Sequence, residues 1–169
     1  RCESLTSITL PDSIKKVGNG AFSGCSALAS ITIPDSVAYI GEYTFKKCLK
    51  MKSVHIPNSV ISIGDWAFAY CKELESIVIP YSVEFIGKCA FFACNFSSIK
   101  IPSSVTSFGG NPFIQCQNLE VIDVSDNPNF VFVDGVLLDK EMTQISYCNH
   151  TKSVNYDIPN TETSTDEYS

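Results

Sequence analysis

The sequence is poor in the residues that do most enzymatic and metal chemistry. It has two histidines in 169 residues, His55 and His150, and no C-x-x-C or H-x-x-x-H spacing, which excludes the usual zinc frameworks. A serine or cysteine nucleophile would have no evident base and orienting carboxylate beside it. No glycine-rich phosphate loop is present, and Gly109-Gly110 reads as a turn. No apolar run approaches the ~18 residues of a transmembrane helix. Charge is also scarce, with 18% charged residues and a net charge of −6. That balance argues against a nucleic-acid partner, which needs clustered Lys and Arg. No catalytic residue, cofactor or metal is therefore expected, and no enzymatic activity. No secretory signal opens the chain, which starts abruptly at Arg1-Cys2-Glu3-Ser4-Leu5.

What remains is a globular composition, 44% hydrophobic, long enough for one domain with a sizeable core. Acidic charge collects at one end. Residues 1–120 hold ten basic and nine acidic groups, whereas residues 121–169 hold two basic and nine acidic. The shift marks a boundary near residue 121.

The dominant feature is a repeat. Pro11, Pro34, Pro57 and Pro80 are 23 residues apart, and Pro102 follows after 22. Cys2, Cys25, Cys48, Cys71, Cys94 and Cys116 keep the same beat, as do Gly18, Gly41, Gly64, Gly87 and Gly109, and Phe22, Phe45, Phe68, Phe91 and Phe113. The slip lies between Cys94 and Pro102, where the spacing loses one residue. Each unit begins with alternating apolar and polar residues, as in Ser53-Val54-His55-Ile56, the period of a strand with one buried face. Proline then ends the strand, since it has no N–H for a ladder. The following serine is expected to turn the chain through local hydroxyl–backbone bonding. Gly64 is expected to sit at a φ that only glycine takes cheaply. Ala67, Phe68 and Cys71 are expected to form one short helical turn with its apolar side inward.

One unit cannot bury its own apolar face, but stacked units can. The columns Ile8, Ile31, Val54, Ile77, Ile99, Ile122 and Leu10, Ile33, Ile56, Ile79, Ile101, Val124 are then ladders of core residues. The combined pattern Ile-Pro-x-Ser-Val-x-x-Ile-Gly-x-x-Ala-Phe-x-x-Cys resembles the BspA-like leucine-rich repeat, the spirochaete type. Five close copies span residues 5–116 and a partial sixth starts at Leu119. The resemblance implies a leucine-rich repeat solenoid of the α/β horseshoe class, mostly β with short helical turns, built as a parallel strand stack. It also implies a cell-surface or secreted binding protein, linked in such families to adhesion to matrix proteins, host cells or other microbes.

The sequence divides into a solenoid over 1–124, a hairpin insert and degenerate repeat over 125–159, and a polar tail over 160–169 expected to be disordered. Asp134-Gly135 between Phe130–Val133 and Val136–Leu138 is a strong hairpin signal. It also resembles the insert that interrupts repeats in this family. Asn155-Tyr156-Asp157-Ile158-Pro159 imitates a repeat start, but Glu162 stands where a core valine belongs. At the other end Cys2 and Leu5 are already in phase without a capping segment, so the natural protein is expected to continue upstream.

The six in-phase cysteines are expected to form a buried ladder of free thiols, because side chains stacked in parallel do not offer the facing geometry of a disulfide. Cys89 and Cys148 are off the beat. Cys89 shares a column with Gly20, Tyr43, Trp66 and Asn111 and is expected to face solvent, as a surface residue ahead of a reactive thiol.

Two surfaces are free to vary and could bind a partner. The outward strand face presents Ser7, Ser30, Ser53, Ser76, Ser98 and Val121 beside Thr9, Thr32, His55, Val78, Lys100 and Asp123. Hydroxyls there could meet a protein or glycan, or be no more than good exposed strand residues. An aromatic set comprises Tyr39, Tyr43, Trp66, Tyr70, Tyr81, Phe85 and Phe92. Trp and Tyr are enriched in binding hot spots, although some of these rings could instead complete the convex packing. Tyr43 and Trp66 are the best pair. The reading is a non-catalytic binding module for a protein or glycan ligand on a host or neighbouring cell, without membrane insertion. The alternatives are a passive spacer or an accessory region of a larger enzyme. Asn95 and Asn149 begin N-x-S/T sequons, which matter only in a eukaryotic secretory protein.

Overall fold

A computed structural model describes residues 2–148 and the backbone of 164–165. The repeat winds into successive coils, each with two strand segments and a turn segment. On the first side β1 (Ser30–Thr32) pairs in parallel with β3 (Ser53–His55), through Ser30↔Ser53, Ile31↔Val54 and Thr32↔His55. Further along, β6 (Ser98–Lys100) pairs with β8 (Val121–Asp123) in the same way. The intervening 76–78 segment joins neither ladder. On the second side the ladder is continuous. It runs β2 (Tyr39–Ile40), β4 (Ser62–Ile63), β5 (Phe85–Ile86) and β7 (Ser107–Phe108), all parallel.

The third side corrects the expected helical turn, for the described residues contain no α-helix. In a helix every N–H would close within its own coil. Here every second N–H crosses to the next coil: Trp66 N donates to Lys88 O at 3.0 Å, Phe68 N to Ala90 O at 2.7 Å and Tyr70 N to Phe92 O at 2.7 Å. The residues between close tight turns, as Ala69 N does on Trp66 O at 3.2 Å. This alternation requires left-handed backbone twice per coil. Tyr43, Trp66 and Cys89 (φ 57, 57 and 55) form one such column, and Lys47, Tyr70, Ala93 and Gln115 (φ 63, 63, 53 and 58) form the other. Gly20 and Gly24 begin the two columns at φ 65 and 76.

The invariant glycine has a different role from the expected one. Gly64 does not have a positive φ; a Cβ added to it would stand 2.8 Å from Glu42 N and from the Gly41 carbonyl carbon. Glycine is needed there because two backbones touch. The serines also differ from expectation. Ser59, Ser82 and Ser104 donate to Val37 O, Val60 O and Val83 O of the preceding coil at 2.7, 2.6 and 2.7 Å, and Ser36 donates to Ile14 O. They join coils rather than turn the chain locally.

Between the three sides lies one core. Phe22, Phe45, Phe68, Phe91 and Phe113 stack with centroid spacings of 5.5, 5.2, 5.7 and 5.8 Å and interplanar angles of 2–15°. Beside them the thiols of Cys48, Cys71, Cys94 and Cys116 donate to the carbonyls of Phe22, Phe45, Phe68 and Phe91 at 3.0–3.3 Å. Burial pushes the Cys48 and Cys116 thiols up to about 12, and those of Cys71 and Cys94 well above their ordinary value. Cys2 departs from the expected buried ladder, since it is exposed in the first coil. The shortened repeat is absorbed at Phe96. Two residues separate Cys71 from the core Leu74, but one separates Cys94 from Phe96. The larger Phe96 ring then packs edge-on against Phe91 and Phe113.

The last coil is covered by an antiparallel unit. β9 (Phe130–Val133) and β10 (Val136–Asp139) form the expected hairpin, with Asp134 and Gly135 at φ 51 and 87, the handedness of a tight two-residue turn. β11 (Gln144–Cys148) pairs antiparallel with β10, and β12 (Ser164–Thr165) pairs parallel with β11. Phe130, Leu137 and Tyr147 join the solenoid core, with Tyr147 edge-on to Phe113 at 5.8 Å. Asp139 anchors the second turn by accepting from Thr143 N, Thr143 Oγ1 and Gln144 N at 2.7, 2.5 and 3.0 Å. The imitation repeat at 155–159 and most of the polar tail lie outside the described residues.

Candidate functional site

The turn ribbon sets the best candidate pair. Tyr43 and Trp66 occupy one of its left-handed columns, in adjacent coils. Tyr43 is 39% exposed and Trp66 half-buried. Sequence reasoning missed the residue that joins them. Lys46 Nζ lies 5.0 Å from the Tyr43 ring centre and 4.7 Å from that of Trp66. Each contact is worth about 0.5–1 kcal/mol at an exposed site. Trp66 then leans on Phe92 at 5.1 Å, Tyr70 on Phe92 at 5.0 Å, and Lys47 Nζ stands 5.8 Å over Tyr70. The result is a ridge of four aromatic rings and two ammonium groups across three coils. Part of the set does complete the packing, because Trp66, Tyr70 and Phe92 are each half-buried.

The other candidates lie elsewhere. Tyr39 and half-buried Phe85 belong to the second ladder, with Ser62 between them. Tyr81, 62% exposed, sits at the rim of the first side, within electrostatic reach of Lys100. Thr9, Thr32 and His55 are exposed on the first side with Val78, which is 79% exposed. Lys100 pairs there with Asp126 at 2.5 Å and Asp123 at 4.0 Å. The aromatic set is thus split over three sides, and the structure brings together only Tyr43, Trp66, Tyr70 and Phe92.

Two expectations for the ribbon column are overturned. Cys89 is buried, and that burial raises its thiol pKa. Asn111 is buried too, with its Oδ1 accepting from Phe113 N at 2.9 Å. Both side chains are too short to reach past their neighbours as Tyr and Trp do. Among the described residues no three His, Cys, Asp or Glu side chains cluster as a metal site, and no helix is long and apolar enough to cross a membrane.

Solved structures share this architecture. A leucine-rich repeat protein from Bacteroides ovatus is 34% identical over 71% of this chain, with a TM-score of 0.66. One from Eubacterium ventriosum is 26% identical over 95% of the chain, with a TM-score of 0.68. A leucine rich cell surface protein from Faecalibacterium prausnitzii is 28% identical over 93%, with a TM-score of 0.67. The alignments take in 34–49% of those longer chains. No curated protein matches the sequence. The BspA type leucine rich repeat region matches residues 1–120 and 39–169 in six copies. Repeat phase, parallel coils and this match agree, and the chain belongs to the BspA-type leucine-rich repeat family.

Proposed function

We propose that the chain is a non-catalytic binding module, displayed at a cell surface or secreted, that adheres to a ligand on a host or neighbouring cell through the Tyr43–Lys46–Trp66 ridge. The observation behind this reading is the cation held between two rings at positions where the repeat leaves the side chain free. The ammonium restrains both rings before any partner arrives, which lowers the entropic cost of binding. Aromatic rings backed in this way have the character of hot spots. The similarity to a leucine rich cell surface protein of Faecalibacterium prausnitzii supports the location.

The test is a screen of the folded chain against immobilised matrix proteins and glycans, beside the Tyr43→Ala/Trp66→Ala variant. Saturable binding weakened about 30-fold or more in the variant, a hot-spot loss, is the expected result. Undiminished binding moves the site to the Thr9–Thr32–His55 face. A second reading, a passive spacer, is favoured by the half-burial of Trp66, Tyr70 and Phe92. It predicts no ligand at all and a variant that differs from the parent only in stability.

A further inference from the structure

Beyond the ridge, on the far side of Tyr70, lies a groove of about 420 Å³ whose walls have a different chemistry. We propose that it is a binding site for a neutral carbohydrate. Its volume falls within the range of small-molecule sites. The groove arises from two sequence irregularities. In the second left-handed column the small Ala93 stands between Tyr70 and Gln115, leaving a gap between longer side chains. The same coil is the shortened one, with only Asn95 between Cys94 and Phe96.

The lining is dominated by side-chain amides: Asn95, Gln115, Gln117 and Asn118. An amide both donates and accepts, as a sugar hydroxyl does, so the two are matched without charge. Asn118 Nδ2 donates to Asn95 Oδ1 at 2.7 Å. This bond leaves Asn95 with a free donor and Asn118 with a free acceptor. Exchanging the O and N of both amides only swaps those roles, so a donor–acceptor pair suited to adjacent hydroxyls persists either way. All four amide residues are exposed.

Tyr70 supplies the apolar wall. Phe92 at 5.0 Å and Lys47 at 5.8 Å hold its ring in place, and an aromatic face packs well against the C–H face of a pyranose. The floor argues against a peptide. Ala93 N is bonded to Ile114 O at 2.9 Å and Cys94 N to Phe91 O at 3.1 Å, so neither of these floor amides is offered to an extended chain. No carboxylate lines the groove and Lys72 is its one charged group, which fits neither a cation nor a strongly anionic ligand.

The experiment uses the full chain from a bacterial host without Asn-linked glycosylation, which keeps Asn95 unmodified. Saturation-transfer NMR and calorimetry are run with mannotriose, chitotriose, maltotriose and lactose, and with a sialylated lactose and an Asn/Gln-rich peptide as comparators. At least one neutral sugar should bind saturably. Gln117→Ala/Asn118→Ala should weaken it about tenfold, as expected for two lost hydrogen bonds, and Tyr43→Ala/Trp66→Ala should leave it unchanged. Ala93→Gln should abolish binding by filling the gap. Gln115 already holds a glutamine at φ 58, close to the φ of 53 at Ala93, so that variant is expected to fold. Failure of every neutral sugar to bind the folded chain overturns the proposal. So does preference for the sialylated sugar or the peptide, or binding that survives both groove variants. None of these outcomes depends on binding at Tyr43, Lys46 and Trp66, since of the ridge only Tyr70 lines the groove.

Discussion

Replacing the repeat glycines by alanine, one at a time, tests the account of coil spacing. The cost should depend on what stands one coil back rather than on the glycine's own conformation. At Gly18 an added Cβ meets nothing within 4 Å. Gly18→Ala is expected to be neutral or to stabilise by about 0.4–1 kcal/mol, through a less flexible unfolded chain. At Gly41 the added atom meets chiefly the Asn19 side-chain oxygen, which can turn aside. At Gly64 it meets backbone, 2.8 Å from Glu42 N and 3.1 Å from Ile40 O. At Gly87 it meets Asp65 N at 2.5 Å and the Gly64 carbonyl carbon at 2.6 Å. Relief there means separating the coils, which strains Gly64 N–Ile40 O and Gly87 N–Ile63 O, both 2.8 Å. Overpacking of this kind costs about 1–3 kcal/mol, and each kcal/mol lowers Tm by roughly 2–4 °C in a chain of this size. Urea unfolding of the four variants should rank them Gly18, Gly41, Gly64, Gly87 in rising cost. Equal losses at all four positions would refute the reasoning, and would return the glycines to a conformational role.

The thiol ladder predicts a loss of stability in alkali. The buried thiols stay protonated while the unfolded chain begins to ionise near the ordinary value of 9.0. The unfolded state then binds fewer protons, so stability is intact below pH 9 and falls toward pH 12 by about 1.4 kcal/mol per pH unit for each thiol. Cys71→Ala should flatten that slope in pH-resolved urea titrations. Phe68→Ala, in the middle of the ring stack and fully buried, should cost about 3–5 kcal/mol. Tyr81→Ala at an exposed rim should stay within about 0.5 kcal/mol, as thermal unfolding of the pair would register. Burial draws the Asp139 carboxyl upward, but hydrogen bonds from Thr143 and Gln144 outweigh it and hold the group below the usual carboxylate range. Its contribution is present above pH 3.8 and fades as the solution is acidified through the lowered folded value. In Asp139→Asn, hydrogen exchange of the Thr143 and Gln144 amides should speed up at neutral pH.

What depends on one coil alone was legible in the sequence. The period-two strand of Ser53–His55, the inward Ile columns and the Asp134-Gly135 turn are local statements, and each has its counterpart in the structure. What depends on the distance between coils was not. Gly64 and Ser82 are conspicuous in the repeat, yet their partners lie 22 or 23 positions back, where a local rule for glycine or serine does not look. The left-handed ribbon was hidden because Tyr, Trp, Lys and Gln occupy positions where a single coil would suggest glycine. For the site, the aromatic set was visible by composition, but Lys46 gains its place only once two coils bring Tyr43 and Trp66 to either side of it. Cys89 was misplaced for the converse reason, since column membership gives direction and side-chain length decides exposure.

The ribbon has a consequence for how such a chain can change over generations. Each of its crossing bonds joins a residue to the neighbouring coil in the same pattern, Tyr43 to Asp65 and Trp66 to Lys88. An in-frame duplication or loss of one whole coil therefore leaves no crossing group orphaned, because each coil meets only its neighbours. Recombination between near-identical repeats can lengthen or shorten the molecule without inventing a new packing. Meanwhile the two left-handed columns accept Tyr, Trp, Lys, Ala or Gln on one backbone, so the outward residues can be rewritten coil by coil. Length and surface chemistry are then inherited as separate traits.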